Sequence, residues 1–404
     1  MLQRAIFSSS MQLREMARWQ SGYAEDCKSL DAGSIPTLAS IISSMIDILT
    51  LTDFRNHKTS RIDVHGAKNI IIIGENGAGK TAVLEALSML SGDRGMRGAD
   101  MTDIARFDGS GNFSVFSKTF DGDSVCVYFN RGDNNRHAKL NDENATLGEL
   151  GKILRIVWIS PREDRLFVDS AADRRAFFDR LVSNFDNSHY GRTAKFSKLL
   201  SERAFALKNG SDSKWLNALD DQLAGAAVAI AAARVQYAGQ VNYFLNNFSV
   251  SVDGMIEKMI IMGQPAATAE REYRNYLGQN RELVADKMIL DGPHKSDFGM
   301  FNNELKLPVK LTSTGQQKSA LFDLILAHAN LLHTKTNNDC IVLFDEAAAH
   351  LDIAARAKIF SLLNKTHTQV WATGLDAQSF TDVPNAVIVT CHNGEISSIL
   401  YPKE

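Results

Sequence analysis

The chain has 404 residues, a formal net charge of −3 and 44% hydrophobic residues. Its apolar runs are far shorter than the roughly 20 residues that a membrane-spanning helix needs. Its four cysteines (Cys27, Cys126, Cys340 and Cys391) stand apart without a disulfide or metal-ligand spacing, which favours the reducing cytoplasm. Composition therefore argues against a membrane protein and a disulfide-rich one, and any nucleic-acid contact has to come from a local basic patch.

The N-terminal segment differs in character from the rest of the chain. Its first 20 residues carry three arginines against one glutamate and contain no continuous apolar stretch, so a secretory signal is not expected. Regular structure is predicted to begin at residues 45–58, where Ile46, Ile48, Leu49 and Leu51 indicate a strand. We interpret residues 1–44 as an extension that is disordered or without function.

The remaining chain has three parts that differ in pattern. Residues 45–185 alternate short β-like runs with turn signals. Residues 186–290 are rich in alanine and charge and follow a helical period, without a proline between 186 and 264. Residues 291–404 return to alternating strands and helices. The order predicts an α/β domain in two parts with a helical arm inserted between them.

A glycine-rich loop follows the apolar run at residues 69–73. The segment from Gly74 to Thr81 matches G-x-x-x-x-G-K-[ST], with a strand before it and an amphipathic helix after it. Glycines let successive backbone N–H groups and the helix N-terminus face a phosphate chain. Lys80 would reach the β- and γ-phosphates, and the Thr81 hydroxyl would bind Mg²⁺. The candidate nucleotide-binding residues of this loop are Gly74, Asn76, Gly77, Gly79, Lys80 and Thr81.

A second candidate anion site precedes a predicted helix near residue 315. Small residues at Ser313, Thr314 and Gly315 open this helix, and a helix N-terminus favours negative charge. Because the chain already has one phosphate loop, this second site would serve the nucleotide of another chain. The alternative is plain N-capping of the helix by Ser313 or Thr314.

An apolar run at residues 340–344 ends in two carboxylates. A buried parallel strand that ends in acids is typical of the edge where a nucleotide binds. Asp345 would hold Mg²⁺, and Glu346 would orient and polarise the attacking water. The alternative is that both acids stabilise the N-terminus of a following helix.

Together, these motifs resemble those of a known family. In chain order, the phosphate loop, STGQQ at 313–317, the acidic strand and AHLD at 349–352 resemble Walker A, signature, Walker B and D-loop of ABC-type ATPases. Within that group, LTDFRNHK, the SPRED block with its paired arginines, and DGPHKSDF resemble the RecF family of bacterial recombination mediators. The resemblance covers about residues 45–400 and implies an α/β fold, an ABC-type P-loop ATPase head with an inserted helical arm.

The resemblance also implies how the site is assembled. Two heads would close on two ATP molecules, each bound by Walker A and B of one chain and the signature of the other. Lys80 and Glu346 would be the catalytic residues. Arg55 and Asn56 would contact the nucleotide, as the matching turn does in SMC-like heads, with a simple surface turn as the alternative. The residues expected to act on the partner's nucleotide are Ser313, Gly315, Gln316 and Asp352.

The implied function is ATP-dependent DNA binding in recombinational repair and the SOS response. An ATP-dependent homodimer would bind duplex DNA near single-strand gaps, with weak, DNA-responsive hydrolysis, and would help load RecA with RecR- and RecO-type partners in the cytoplasm. Two other hypotheses remain, the ATPase subunit of an ABC transporter and a nucleotide-gated scaffold. The inserted arm and the SPRED and GPHKSD blocks argue against the transporter.

Several positions depart from the family pattern. Lys295 and Ser296 stand in the GPHKSD turn where the family has an arginine and an acid, and His350 replaces an acid in the D-loop. Glu346 stands where an aspartate is frequent, which keeps general-base chemistry available. Thr373 occupies the place of the switch histidine of other ABC ATPases.

Candidate DNA contacts are local. Residues 192–214 hold six basic residues against two acids, which fits either a DNA-binding patch or a solvated helix face. Arg174 and Arg175 stand near Asp173 and Asp179, so ion pairing competes with DNA contact.

Two further residue types are interpreted as structural. Trp158, Trp215 and Trp371 are predicted to pack in the core or at a hinge, because no alternation of aromatic and basic residues suggests stacking on single strands. His294 is predicted to be a hydrogen-bonded turn residue rather than a catalytic or metal-binding one.

Overall fold

The computed structural model describes residues 45–92, 95–284, 290–337, 339–346, 359–363, 365–366 and 368–402. The chain divides into a helical unit, residues 170–240 and 250–300, and an α/β unit that takes in the described residues of 45–169, 241–249 and 301–402. The sequence pattern bounded the helical arm at 186 and 290 instead. The predicted D-loop lies outside the described residues. Among these residues, no helix is both long and apolar enough to cross a membrane.

The described part of the chain contains ten α-helices and fifteen strands, and both are numbered in chain order. The helices are α1 (Lys80–Met89), α2 (Met101–Ile104), α3 (Leu147–Ile153), α4 (Ala171–Ser183), α5 (His189–Lys208), α6 (Ser213–Val241), α7 (Met255–Ile261), α8 (Ala266–Gln279), α9 (Arg281–Val284) and α10 (Thr314–Thr336).

A mainly parallel sheet forms one layer of the α/β unit. Its strands are β3 (Asn69–Ile73), β8 (Arg155–Ile159), β12 (Cys340–Phe344), β13 (Thr368–Gly374), β14 (Ala386–His392) and β15 (Glu395–Leu400). They are ordered β15-β14-β3-β13-β12-β8, and β15 alone runs antiparallel to its neighbour. The apolar runs predicted as strands are buried along their full length in β8, β12 and β13, as expected for parallel strands covered on both faces.

An antiparallel sheet forms a second layer. Its strands are β1 (Ile46–Phe54), β2 (His57–Asp63), β4 (Phe113–Thr119), β5 (Ser124–Phe129), β6 (His137–Leu140) and β7 (Glu143–Ala145). They are ordered β2-β1-β4-β5-β6-β7. The predicted strand at 45–58 is a hairpin here, because Phe54 pairs with His57 and the chain reverses at Arg55 and Asn56.

Helix α1 contacts both layers, through β1 on one side and β8, β12 and β13 on the other. The helix is buried through Val83, Leu84 and Leu87, and Leu90 directly after it is also fully buried. Burial extends around the whole helix, including Glu85, because a sheet covers each side. The helix that begins at the phosphate loop is therefore held in the core of the α/β unit.

The helical unit is built around the 29-residue helix α6, which agrees with the helical period of the alanine-rich segment. Its apolar face packs with residues of α5 and α8 in one core that includes Phe196, Leu223, Tyr273 and Leu277.

A third, small sheet consists of β9 (Phe248–Asp253), β10 (Asp297–Asn302) and β11 (Leu307–Pro308), in the order β11-β10-β9.

A buried ionic network lies within the helical unit. The Arg234 guanidinium is 4% exposed and donates two hydrogen bonds of 2.8 Å to Asp179 and one of 2.6 Å to the Pro293 carbonyl. It also lies 3.3 Å from the buried Glu257, while the His189 ring lies 2.8 Å from Asp179. The guanidinium is therefore compensated on each side by groups that are themselves largely removed from water.

Arg174 and Arg175, the paired arginines that follow the SPRED motif, also bind residues of the helical unit. Arg174 forms a two-pronged ion pair with Asp297, at 2.8 and 2.7 Å, and Arg175 donates to the Ser296 carbonyl at 2.9 Å. Ion pairing thus holds for Arg174, which binds an acid of the GPHKSD turn. His294 of the same turn packs beside the Phe196 ring, 5.6 Å between centroids.

Two surface interpretations change with the structure. In the basic stretch, Arg203 is buried between Asp220 and the Leu277 carbonyl, both at 2.6 Å, and Arg192 pairs with Asp186 at 2.5 Å. These two charges stabilise the helical unit, which weakens the predicted basic patch. Trp158 and Trp371 are buried as predicted, whereas Trp215 is 53% exposed near the start of α6, so the prediction of core packing was wrong there.

Replacing Asp179 by asparagine tests the ionic network. Burial would raise the pKa of Asp179, but hydrogen bonds from Arg234 and His189 lower it to about 2. The carboxylate therefore stabilises the fold fully above its unfolded pKa of about 3.8, and this contribution is lost as the pH falls through about 2. We expect Asp179→Asn to lower the free energy of unfolding by about 3–5 kcal/mol at pH 7, because Arg234 loses its main partner.

Urea unfolding measures this loss, and the difference from wild type should shrink only below about pH 4. Asp253→Asn is the matched control, because Asp253 is 70% exposed beside Lys258 and should change stability by less than about 1 kcal/mol. Equal effects of the two substitutions would contradict the role given to Asp179.

Candidate functional site

The parallel sheet brings the two main motifs to one edge. In its register, Ile73 at the end of β3 pairs with Gly374, and Phe344 at the end of β12 pairs with Ala372. Strand β13 therefore lies between the strand that leads into the phosphate loop and the strand that ends in Asp345. Ligands of open α/β sheets bind outside these carboxyl ends, so the edge is the expected position of a site.

The loop that enters α1 depends on a glycine at position 79. Gly79 is the N-cap residue of α1, has a φ of 108°, and makes no side-chain capping bond. The first N–H groups of the helix are therefore left for an anion. A Cβ at this position would lie 2.6 Å from the Nε2 atom of His57, so a side chain is excluded by contact as well as by backbone conformation.

The side chain of His57 contacts the phosphate loop and the Ser60 hydroxyl. Its Nε2 lies 3.1 Å from the Gly79 carbonyl oxygen and its Nδ1 lies 2.8 Å from the Ser60 hydroxyl. Burial lowers the pKa of His57, which favours the neutral ring at pH 7. The Gly394 N–H donates to the Ala78 carbonyl at 2.9 Å, so segments far apart in sequence hold the loop in place.

Lys80 lies at the centre of this loop. Its ammonium donates to the carbonyl oxygens of Gly74 and Glu75, at 2.6 and 2.8 Å. The side chain is 9% exposed and is already directed toward the loop. A phosphate chain in the loop would therefore meet a positive charge that is positioned in advance.

Three side chains link the phosphate loop to the acidic strand. The hydroxyls of Thr81 and Thr373 donate to the same Asp345 oxygen, at 3.0 and 2.8 Å. The Thr373 hydroxyl also accepts from the Glu346 N–H at 2.8 Å, while Glu346 has a left-handed φ of 55°. Thr373 thereby fixes the positions of both acids at the point where the chain leaves the sheet.

The donor set fits a magnesium ion. Thr81 and Asp345 present a hydroxyl and a carboxylate, and oxygen atoms are the ligands that Mg²⁺ prefers. Burial raises the pKa of Asp345, although hydrogen bonds from Thr373 and Thr81 lower it in part. A cation next to this carboxylate would offset the cost of its desolvation.

A cavity of about 810 Å³ opens over the loop and contains most of the predicted site residues in its walls. Arg55 and Asn56 lie at its edge, but both side chains are engaged. Arg55 pairs with the buried Glu85 at 2.5 and 2.8 Å, and Asn56 donates to the Gly77 carbonyl at 3.2 Å. The predicted site residues in the cavity walls are Arg55, Asn56, Asn76, Gly77, Gly79, Lys80, Thr81 and Glu346.

Sequence reasoning missed several residues of this cavity. Glu85, which binds Arg55 but does not itself line the cavity, had a recognisable signal as the only acid in the mostly apolar helix α1. Arg97, Asp103 and Phe107 lie in the walls, but they come from two turns and the four-residue helix α2, which carry no motif or period. Their position depends on how the antiparallel sheet packs over α1, which no local pattern reveals.

The signature residues do not reach the cavity of their own chain. Ser313 caps α10 by accepting from the Gln316 N–H at 3.4 Å, as the capping alternative predicted. Ser313 and Gly315 are exposed, and neither they nor Gln316 line the cavity. Asp352 lies outside the described residues, so its predicted role stays a prediction.

Two glycine substitutions test the support of the loop by His57. Gly77 and Gly79 both have a positive φ, but a Cβ on Gly77 would meet nothing within 4 Å. We expect Gly77→Ala to lower the free energy of unfolding by about 1–2 kcal/mol through backbone strain alone. Gly79→Ala should lower the free energy of unfolding by about 1–3 kcal/mol more than Gly77→Ala does, because the His57 ring is buried and cannot move aside. Urea unfolding compares the two, and equal losses would contradict a close contact between Gly79 and His57.

Comparisons with known proteins agree with this architecture. The family model described as the RecF/RecN/SMC N terminal domain matches residues 45–398. The DNA replication and repair protein RecF of Mesorhizobium japonicum is 35% identical over 370 residues, which cover 87% of this chain and 97% of that protein. The protein of the same name from Rhizobium leguminosarum bv. trifolii is 34% identical, with 86% and 97% covered.

A solved structure of the recombination mediator protein RecF with ATP, from the RecFOR pathway, has the same fold. It superimposes with a TM-score of 0.75 at 22% identity and covers 88% of this chain and 99% of its own. The likeness confirms the predicted fold class, an ABC-type ATPase head with an inserted helical arm. From the match of the family model and the identity to its curated members, the chain belongs to the RecF family of DNA replication and repair proteins.

Proposed function

We propose that this chain is a recombination mediator that dimerises on ATP and closes around duplex DNA near single-strand gaps. The observation that carries the proposal is the group of Lys80, Thr81, Asp345 and Glu346 at one sheet edge of a RecF-family chain. Within this group, a cradle for phosphates lies beside a carboxylate suited to a metal and a second one that faces the cavity.

ATP binding is the first step. The N–H groups at the start of α1 and the Lys80 ammonium would hold the phosphates, with Gly74, Asn76, Gly77 and Gly79 giving the backbone room. Thr81 and Asp345 would hold Mg²⁺, which supplies charge neutralisation on the phosphates when bound. A solved RecF structure is that of a complex with ATP, which supports this ligand.

Hydrolysis would be weak and would respond to DNA. Glu346 would accept hydrogen bonds from the attacking water and orient it, and its backbone N–H is fixed by Thr373. Threonine at this position lacks the basic ring of a switch histidine, so it cannot supply a positive charge to the γ-phosphate. Nucleotide occupancy, rather than rapid turnover, would then control the state of the protein.

The second half of each site would come from another copy of the chain. Ser313, Gly315 and Gln316 stand at the exposed N-terminus of the 23-residue helix α10, away from the cavity of their own chain. A long helix favours an anion at this end, and the partner's γ-phosphate is the anion that a closed dimer would bring there. Asp352 would act beside it.

The DNA-facing and partner-facing steps follow from family membership. Closure would clamp duplex DNA near gaps and help load RecA with RecR- and RecO-type partners, in the cytoplasm, as part of recombinational repair and the SOS response. A solved RecF of similar fold acts in the RecFOR pathway, which supports partners of this kind. The chain is acidic overall, so binding depends on local basic side chains and should weaken with salt.

Glu346→Gln tests the clamp directly. The substitution removes the proposed base but keeps the size of the side chain, so it should abolish turnover, retain ATP binding and prolong closure. We expect fluorescence anisotropy to detect binding of a gapped duplex that depends on Mg-ATP, at a stated salt concentration. Lys80→Met, which should not bind ATP, is the control. Unchanged turnover of Glu346→Gln would contradict the assignment of the base, and DNA binding without ATP would contradict the clamp.

Mixing two inactive proteins tests the shared site. Lys80→Met damages the loop and Ser313→Arg damages the signature, so each homodimer should be inactive. A mixed dimer retains one intact site, and an equal mixture should recover about a quarter of wild-type ATPase activity.

The control places both substitutions in one chain. Mixed with wild type, this double variant leaves no intact site in a heterodimer, and an excess of it should suppress wild-type activity. If the single variants do not complement each other, or the double variant does not suppress, the site is not shared between chains.

A further inference from the structure

Phe107 is an aromatic residue in the lining of the proposed nucleotide cavity. Its side chain is fully exposed to solvent, and it lines the same cavity as Lys80 and Thr81. Aromatic side chains usually bury most of their large apolar area, so a ring that is fully in solvent beside a binding cavity suggests that a ligand covers it. Among the cavity-lining residues of the described chain, Phe107 is the aromatic one.

The turn that carries Phe107 is held firmly. The Arg106 N–H donates to the Asp53 carbonyl at 2.9 Å, and the Arg106 side chain pairs with the Asp53 carboxylate at 2.8 Å. On the preceding side, Ala105 pairs with Phe54 in an isolated antiparallel bridge. The Gly109 N–H closes the turn on the Arg106 carbonyl at 3.0 Å. The exposed ring is therefore displayed from an anchored backbone.

The residues that line the cavity come from segments with different chemistry. Glu346 and Thr373 lie on the wall formed by the ends of β12 and β13, which is where the reacting end of a bound triphosphate belongs. Asp103, Ala105 and Phe107, from the end of α2 and the segment that follows it, line the same cavity. With the phosphates held in the loop and the terminal phosphate near Glu346, the nucleoside would lie in the remaining part of the cavity, where Phe107 is the aromatic side chain among the described residues.

We propose that the ring of Phe107 stacks on the base of the bound nucleotide, so that the turn of residues 105–109 is the base-binding element of the site. This inference rests on the proposed binding of ATP. Every base has a π-face, so stacking selects a nucleotide over a bare polyphosphate without choosing adenine over guanine. The recognised ligand is thus the nucleobase of a nucleoside triphosphate, held at one end by stacking and at the other by the phosphate loop.

Phe107→Ala separates the two ends of the ligand. We expect the affinity for ATP and for GTP to fall by roughly 10-fold, within the range that base stacking contributes, while the affinity for Mg-tripolyphosphate stays within about 2-fold. Displacement of a fluorescent ATP analogue measures all three. Phe120→Ala is the matched control, because Phe120 is 63% exposed in the same unit and does not line the cavity. Unchanged ATP affinity, or an equal loss for ATP and tripolyphosphate, would overturn the proposal.

A second variant reports stacking without relying on lost affinity. In the Phe107→Trp protein, ATP should quench tryptophan fluorescence beyond the change seen in wild type, whereas tripolyphosphate should not. The absence of this extra quenching at saturating ATP would overturn the proposal. Lys80→Met separates a failure of the Phe107 proposal from a failure of the proposed function. If the wild-type protein does not bind ATP, the proposed function is refuted. If the wild-type protein binds ATP, Lys80→Met abolishes that binding and Phe107→Ala leaves it intact, only the role of Phe107 is refuted.

Discussion

The candidate site depends on one hydroxyl group, that of Thr373, held between two carboxylate residues. It donates to Asp345 and accepts from the backbone of Glu346, while Thr81 of the phosphate loop donates to the same Asp345 oxygen. This connection is possible because β13 lies between β3 and β12 in the sheet. The strand order thus brings two motifs that are far apart in sequence into one site with fixed geometry.

The local motifs were readable from the sequence, and the contacts that support them were not. The phosphate loop and the acidic strand each occupy a few consecutive residues, and their chemistry follows from residue type and spacing. In contrast, the support of Gly79 by His57 and the pairing of Arg55 with Glu85 join segments that meet only when the antiparallel sheet covers α1. Phe107 had no signal at all, because a single exposed ring in a turn has neither a period nor a motif.

The altered GPHKSD turn has a physical explanation in the helical unit. The Ser296 hydroxyl donates to the buried Glu257 at 2.6 Å. An acid at this position, as in the family pattern, would place two carboxyl groups in contact in a site closed to water, and one of them would have to be protonated. Serine supplies a donor instead, so the exchange of an acid for serine fits the presence of Glu257. The neighbouring Asp297 still binds Arg174, which preserves the ion pair of the turn.

The division of the proposed site between two chains links nucleotide binding to association. A loop that is already braced by His57, with Lys80 already directed inward, binds phosphates without first ordering these groups. Each chain nevertheless exposes its own signature residues away from its own cavity. Binding free energies are reciprocal, so if the second copy raises the affinity for ATP by some factor, ATP raises the affinity for the second copy by the same factor. Under this proposal, slow hydrolysis at Glu346 would set how long the association lasts, and a weak ATPase would act as a timer for the closed dimer.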